Sequence, residues 1–329
     1  MYPYYGASGI IDYIDEYIFD GDYILLSEDG ANIIDRNYRV AFIANGKIWV
    51  NNHAHVLQPH KEMNINFLSE ALERINYAIY NTGTTMPKLN QEICRKINLN
   101  VPSLSEQNKI GNLLYLLNER IATQNRLIED LKKLRCAIVE KMFKQSKANG
   151  RLGDFIEQVS VRNKNGLYSN VLSVSNKQGF VKQSEQFEDR TVASKDTSNY
   201  KIVKRNNFAY NPARINVGSI ARLTKFDVGI VSPMYVCFRT KASIIPEYME
   251  AFFTSQQFFY EMMKRLEGSV RLCLSYEGLC NIPVYIPDMN KQIAMGQNIS
   301  LILSKIGLEI EYLGRLHQQK QHLLRKMFI

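Results

Sequence analysis

Apolar residues recur with a seven-residue period along two stretches of this chain. Over 104–145 one seam position holds Ile110, Leu117, Gln124, Leu131 and Ile138, and the other holds Leu114, Ile121, Ile128, Arg135 and Met142. Over 289–329 the pattern returns as Met295, Ile302, Glu309, Leu316 and Leu323, then Ile299, Ile306, Leu313, Lys320 and Met327. Eight of ten positions are apolar in each stretch, the spacing of a coiled-coil seam rather than of a broad amphipathic face. Two long helices are predicted, each with a stripe that needs a partner. The simplest arrangement pairs them with each other; the alternative packs each on its own domain.

The two stretches are copies. Pro102, Gln107, Gly111, Ile121, Leu131, Lys141, Met142 and Phe143 fall, 185 residues on and without a gap, on Pro287, Gln292, Gly296, Ile306, Leu316, Lys326, Met327 and Phe328. The match reaches upstream, where Gly83, Leu89, Glu92, Ile97 and Val101 precede Gly268, Leu274, Glu277, Ile282 and Ile286 by the same interval. A fixed internal period means two copies of one supersecondary unit: a globular piece, a proline, then a long helix. Ser105 with Asn108, and Asp288 with Lys291, are the capping pairs this pattern offers. The seam breaks at Gln124 and Arg135 in one copy and at Glu309 and Lys320 in the other. An antiparallel pair would bring Arg135 to Glu309 and Gln124 to Lys320, a polar layer that selects one register.

At 329 residues the chain exceeds what one core usually supports. It divides into a domain at 1–101, a helix and linker at 102–150, a second domain at 151–286 and a helix at 287–329. The net charge of +9 is unevenly placed: −4 over 1–101, +4 over 102–150, +6 over 151–286 and +3 over 287–329. A basic second domain rich in Tyr, Asn, Ser and Arg suits nucleic acid, whose affinity rests largely on phosphate neutralisation. No run of 18 apolar residues and no basic, hydrophobic leader is present, so a cytoplasmic protein with no membrane partner is expected. The five cysteines, Cys94, Cys136, Cys237, Cys273 and Cys280, form no C-x-x-C pair, and reduced, mostly buried thiols are expected.

The segment P-x-x-x-x-Q, followed by a long helix ending in K-M-F and present twice between variable globular domains, resembles the specificity subunit of type I restriction-modification systems. Supporting stretches are Tyr2 to Asn32, Lys47 to Pro59, Phe208 to Leu223 and Gly229 to Phe238. The resemblance implies an α/β protein in which two target-recognition domains are joined by a pseudo-twofold antiparallel two-helix coiled-coil spacer. Each domain would read half of a bipartite site on double-stranded DNA. The spacer, about 60 Å for about 40 residues, would set the gap between half-sites and dock methyltransferase (modification) subunits. Those subunits, and restriction or motor subunits reached indirectly, would supply methyl transfer, ATP hydrolysis and cleavage. Ile110, Leu114, Leu117, Ile121, Leu131, Ile138, Ile299, Ile302, Ile306, Leu313, Leu316 and Leu323 are the expected spacer and docking residues.

The chain should then carry no chemistry of its own and need no cofactor or metal. It has no G-x-x-x-x-G-K-S/T phosphate loop and no glycine-rich methyl-donor fingerprint. Asn211-Pro212-Ala213-Arg214 lacks the second proline and aromatic of an adenine methyltransferase motif and reads as a strand-end turn. His53, His55 and His60 have no Cys or carboxylate partners at ligand spacing, and ordinary hydrogen-bonded or exposed histidines are expected. Arg to guanine and Asn to adenine are the bidentate pairings of the major groove. The expected DNA-binding residues of the second domain are Lys177, Arg190, Tyr210, Asn211, Arg214, Asn216 and Arg222.

If Arg151, in the family-like start RLGDF, opens the second domain, the 185-residue period puts the first domain's start about 34 residues before Met1. A shortened first domain is therefore expected. Its run from Asp12 to Asp35 holds eight acidic residues and no basic one, which leaves open whether it reads DNA. The alternative function is a truncated or half specificity subunit, or a coiled-coil assembly protein, that binds partner subunits without productive DNA recognition.

Overall fold

The computed structural model describes the 329-residue chain except for 145–146, 177, 187–195, 270 and 329. Two compact units form, Met1–Leu127 with Glu309–Ile329, and Ile128–Leu308. Each combines a mixed α/β domain with part of both long helices, which span Leu104–Lys144 and Met289–Met327.

In the first unit β1 (Tyr2–Gly6), β2 (Gly9–Ile14), β3 (Phe19–Ser27), β4 (Ala41–Val50) and β5 (Ala54–Leu57) form one sheet in the order β2-β1-β4-β3-β5. Only the β1–β4 pair is parallel. Ile24, Leu25 and Leu26 of β3 are fully buried because the sheet is covered on both faces. Strand alternation sends Ile24 and Leu26 into one cluster with Leu72 of the helix Ile65–Glu73, and Leu25 into the other. Asn64 caps that helix, its side chain accepting from the Phe67 N–H at 3.0 Å.

The second unit contains β6 (Gly150–Arg151), β7 (Ile156–Gln158), β8 (Leu172–Ser175), β9 (Gly179–Lys182), β10 (Lys201–Lys204), β11 (Phe208–Tyr210), β12 (Ile220–Arg222), β13 (Val228–Val231), β14 (Val236–Thr240) and β15 (Pro283–Val284). The main sheet runs β12-β11-β14-β7, beside the pairs β10–β13, β8–β9 and β6–β15. Phe208, Tyr210 and Phe238 face the cluster under the helix Pro246–Phe253, while Ala209 and Cys237 between them face the second cluster.

The repeated residues of the sequence have one mechanical meaning. Gln107 and Gln292, 2% and 1% exposed, each tie a long helix to a domain helix. The Gln107 Nε2 donates to the Pro102 and Glu62 carbonyls at 3.0 and 3.3 Å, and its Oε1 accepts from the Asn64 N–H at 2.9 Å. Gln292 repeats this with the Pro287 and Ser243 carbonyls at 3.0 and 3.1 Å and the Ile245 N–H at 3.1 Å. One turn further, a Cβ on Gly111 would lie 2.3 Å from Asn64 Oδ1, and one on Gly296 would lie 3.0 Å from the Glu247 Cβ, so glycine permits the close approach. The K-M-F phenylalanines complete the grip. Phe328 stacks on Phe67 with centroids 5.0 Å apart, and Phe143 packs on Tyr248 and Phe252 at 5.3 and 5.2 Å. Each domain helix is thus held by the start of one long helix and the end of the other.

All twenty seam positions are buried or half-buried. In the first unit Asn118 and Lys320 both reach Glu70, and Gln124 reaches Glu309, so numbering rises along one helix as it falls along the other. The helices run antiparallel. Their caps differ from expectation: Ser103, not Ser105, caps the first helix, its hydroxyl 2.9 Å from the Glu106 carboxylate, whereas Asp288 accepts from the Lys291 N–H at 3.0 Å as the pattern suggested.

The expected register of the polar interruptions is overturned. Gln124 donates to the Glu309 carbonyl at 3.2 Å and to its carboxylate, so each meets its own repeat equivalent. Lys320 instead lies 3.3 Å from Glu70, beside the Arg39–Glu70 pair at 2.6 Å. Its equivalent, Arg135, acts on Glu250 of the other domain helix. A long cation at a seam edge reaches outward to a carboxylate more readily than it lies buried across the seam.

Candidate nucleic-acid interface

The turn between β11 and β12 carries the most concentrated polar surface among the expected DNA-binding residues. Asn211 Oδ1 accepts from the Ala213 N–H at 3.1 Å, and the Asn211 N–H donates to Ser219 O at 3.1 Å, closing a rigid loop. Arg214 begins the 3-10 turn Ile215–Val217, which ends at Gly218 with φ of 88°, a conformation that glycine adopts without strain. Ile215 is buried beneath while Arg214 is exposed and Asn211 and Asn216 are half-exposed. Buried Ile215 thus serves as an anchor for a polar tip.

A second loop borders this turn. A Cβ on Gly218 would lie 3.7 Å from the Asn176 Cβ, and Lys225 Nζ donates to Gln178 O at 3.3 Å. Asn176, Gln178, Thr224 and Lys225 line a cleft of about 490 Å³. Lys177 and Arg190 lie outside the described residues. On the other flank, Leu274 N–H donates to Pro212 O at 3.1 Å, and Pro212 shares a cleft of about 380 Å³ with exposed Arg271. Sequence reasoning missed Asn176, Gln178, Lys225 and Arg271. Only the repeat, which aligns Leu274 with Leu89, could have pointed to the last of these.

Two expected residues are corrected. Tyr210 is fully buried in the main cluster, its hydroxyl donating to Leu274 O at 3.2 Å, because β11 alternation turns it inward. Burial raises its phenol far above the ordinary range. Arg222 has a side chain 10% exposed, pairs with Glu247, lies 2.9 Å from Glu250 and donates to Asn206 at 3.1 Å. Burial lifts the Glu250 carboxyl above the usual carboxylate range against the pull of Arg222, and the Glu247 charge adds to that lift. This nearly buried arginine is held by two half-exposed carboxylates. Of the expected spacer residues, Ile138 and Ile299 pack in the second unit's core cluster, and all twelve are buried or half-buried. The apolar residues left open on the long helices include Leu113, Leu116, Leu134, Leu301, Leu308 and Ile310, between 42% and 68% exposed.

The equivalent turn of the first unit has opposite chemistry. Leu89 N–H donates to Glu28 O as Leu274 does to Pro212, which sets Glu28, Asp29 and Gly30 against Pro212, Ala213 and Arg214. His53 Nδ1 lies 2.9 Å from Asp29, and His55 Nε2 lies 2.7 Å from Leu89 O, so each histidine has a local partner.

Two mixed α/β domains, each gripped by the ends of two antiparallel helices, have the architecture of a type I S subunit. Over the whole chain the structure resembles a crystal structure of the S subunit of a type I restriction-modification system from M. genitalium, with a TM-score of 0.63, 19% identity and 88% of that chain covered. A structure described for assembly of the type I R-M system covers 95% of this chain at a TM-score of 0.51 and 13% identity. Residues 1–133 match the family described as Type I restriction modification DNA specificity domain. A putative type I restriction enzyme specificity subunit of Haemophilus influenzae is 36% identical over 112 residues, 34% of this chain and 29% of the relative. A putative type I specificity subunit of Mycoplasma pneumoniae is 33% identical over 124 residues, 36% of this chain and 32% of the relative. The matched stretches thus span about a third of the length of these curated relatives. Residues 1–133 thus resemble a type I DNA specificity domain, and the chain as a whole shares the fold of a type I S subunit.

Proposed function

We propose that this chain is a non-catalytic sequence-specificity component of a type I restriction-modification complex. Its second domain reads double-stranded DNA through the turn at 211–218 and the neighbouring Asn176 and Gln178. Arg214, Asn211 and Asn216 offer the donor and acceptor pairs that bind base edges, and Lys225 and Arg271 sit where phosphates would lie. Methyltransferase subunits dock on the leucines left open along the long helices, such as Leu116 and Leu301, and bring methyl transfer and, with restriction subunits, cleavage. The observation that carries this reading is the grip made twice by Gln107 with Gly111 and by Gln292 with Gly296, which couples each domain to a shared helical element.

One observation favours a second reading for the first domain. Its counterpart turn carries Glu28 and Asp29 where the second domain carries Pro212 and Ala213, just before Arg214, and carboxylates repel phosphates. That domain would then join partner subunits without reading bases. Titrating labelled duplex DNA at two salt concentrations, with and without modification subunits, and mapping methylated adenines in host DNA tests both readings. Specific binding and a new methylation motif only with partners present is expected; sequence-specific methylation by the chain alone would overturn the assignment.

A further inference from the structure

The first unit holds a cleft of about 690 Å³ between β4, the helix Ile65–Glu73 and its own portions of the long helices. Phe42, Ile65, Tyr115 and Ile121 give it apolar walls, and Arg39, Glu70 and Lys320 share the lining. Apolar walls around a few convergent polar groups are the marks of a small-molecule site.

The charges in this cleft do not balance. Glu70 Oε1 accepts from Arg39 at 2.6 Å, from Asn118 at 2.8 Å and, at the longest distance, from Lys320 at 3.3 Å. Arg39 has further acceptors in Ala41 O and the Ser69 hydroxyl, at 3.0 and 3.4 Å. An ammonium offers three donors, yet among the described residues Glu70 is the only hydrogen-bond partner of Lys320. The Lys320 side chain is 17% exposed, and burial holds its ammonium below the ordinary range in spite of the carboxylate beside it. Neighbouring Glu73 is taken by Arg36 at 3.0 Å. Three cations, Arg36, Arg39 and Lys320, thus stand against two carboxylates, Glu70 and Glu73. In the second unit the matching cage is even: Arg222 and Arg135, the repeat equivalent of Lys320, meet Glu247 and Glu250. A largely buried cation with too few acceptors lacks an anion, and an apolar-walled cleft is where one of small size would reach it.

We infer that the first unit's cleft binds a small amphipathic anion, a carboxylate or phosphate carried on a flat aromatic body. The acid group pairs with Lys320 and with the remaining Arg39 donors, and the body lies against Phe42, Ile65 and Tyr115. One negative charge evens the cage. The second unit, whose cage is already even, has no equivalent need. The proposal stands on the first unit alone and does not depend on the DNA-binding reading.

Calorimetric titration of the full chain with naphthoate and with adenosine monophosphate, beside uncharged naphthamide and adenosine, tests it. Saturable binding of at least one anion is expected, with its uncharged counterpart at least about tenfold weaker, since a charged hydrogen bond is lost. Which anion binds separates the carboxylate source from the phosphate source. Lys320→Met should weaken the anion by about tenfold or more while the circular dichroism melt stays cooperative. Tyr115→Ala, at a ring 48% exposed, should weaken it with stability unchanged. No saturable binding of either anion, uncharged compounds that bind as well, or unchanged affinity in the Lys320→Met chain would each overturn the proposal. Should Lys320→Met fail to fold, unchanged affinity in Tyr115→Ala overturns it instead.

Discussion

Glu70 shows how a single buried group shapes the first unit. Its side chain is 4% exposed between Arg39 and Lys320, with Asn118 Nδ2 donating at 2.8 Å. Burial acts against both members of the Glu70–Lys320 pair. For Glu70, the charges of Arg39 and Lys320 and the hydrogen bonds outweigh burial and hold the carboxyl below its ordinary range; for Lys320, burial prevails and the ammonium lies below its own. A carboxyl whose folded pKa is depressed contributes stability above its unfolded pKa, about 4.3, and loses it as pH falls through the lower folded value. Glu70→Gln should therefore lower the urea midpoint at pH 7, with the gap to wild type closing as pH falls below about 4; a gap independent of pH would contradict the assignment. Glu70→Met, which strands two cations, should cost about 3–5 kcal/mol, and Lys320→Met less because Arg39 and Asn118 still hydrogen-bond Glu70 Oε1. Gln107→Leu leaves the Asn64 N–H without an acceptor and should cost about 1–3 kcal/mol by denaturant titration. On the proposed DNA surface, Arg214→Ala should weaken cognate-site binding by about 1–3 kcal/mol if the guanidinium contacts a base, while Arg222→Ala should act first on stability.

At the scale of elements, the long helices separate two kinds of leucine. Leu114 is fully buried in the seam and Leu116, two residues on, is 64% exposed. Leu114→Ala should cost about 2–5 kcal/mol of stability, whereas Leu116→Ala should change it by no more than about 0.5 kcal/mol. Pull-down with modification subunits reverses the order of interest: Leu116→Ala combined with Leu301→Ala should weaken their capture while the melt stays normal. Retained capture would move the docking face elsewhere. The Gln124–Glu309 contact makes the register local. Replacing both with leucine should raise the thermal midpoint of the helices while relaxing their alignment, since a polar seam pair selects register at some cost in stability.

At the scale of the molecule, charge and architecture divide the labour. With −4 over residues 1–101 and +6 over 151–286, the proposed DNA reading would put phosphate attraction on the second domain. DNA affinity should fall steeply with added salt, and neutralising Lys225 or Arg271 should reduce the slope of log affinity against log salt by about 1 if each contacts a phosphate. A slope unchanged by both would remove them from the interface.

Much of this was legible in the residues. The helices and the equivalence of the two units follow from the heptads and the 185-residue period, because periodicity is a local property that a chain displays without folding, whereas the antiparallel orientation was expected only from the family resemblance. What Pro102, Gln107, Gly111 and Phe143 were for was not legible. Their partners, Asn64, Phe67 and Tyr248 among them, lie across long intervals of sequence, and only packing brings them together. Arg222 and Tyr210 looked like DNA-binding residues since side-chain type reports what a group can bond; whether it faces solvent or a partner within the fold is set by strand alternation against neighbouring elements. Register failed for the same reason. Polar residues in a seam announce that they need partners, and tertiary structure decided that Lys320 finds its partner on the domain helix, where a carboxylate was already desolvated.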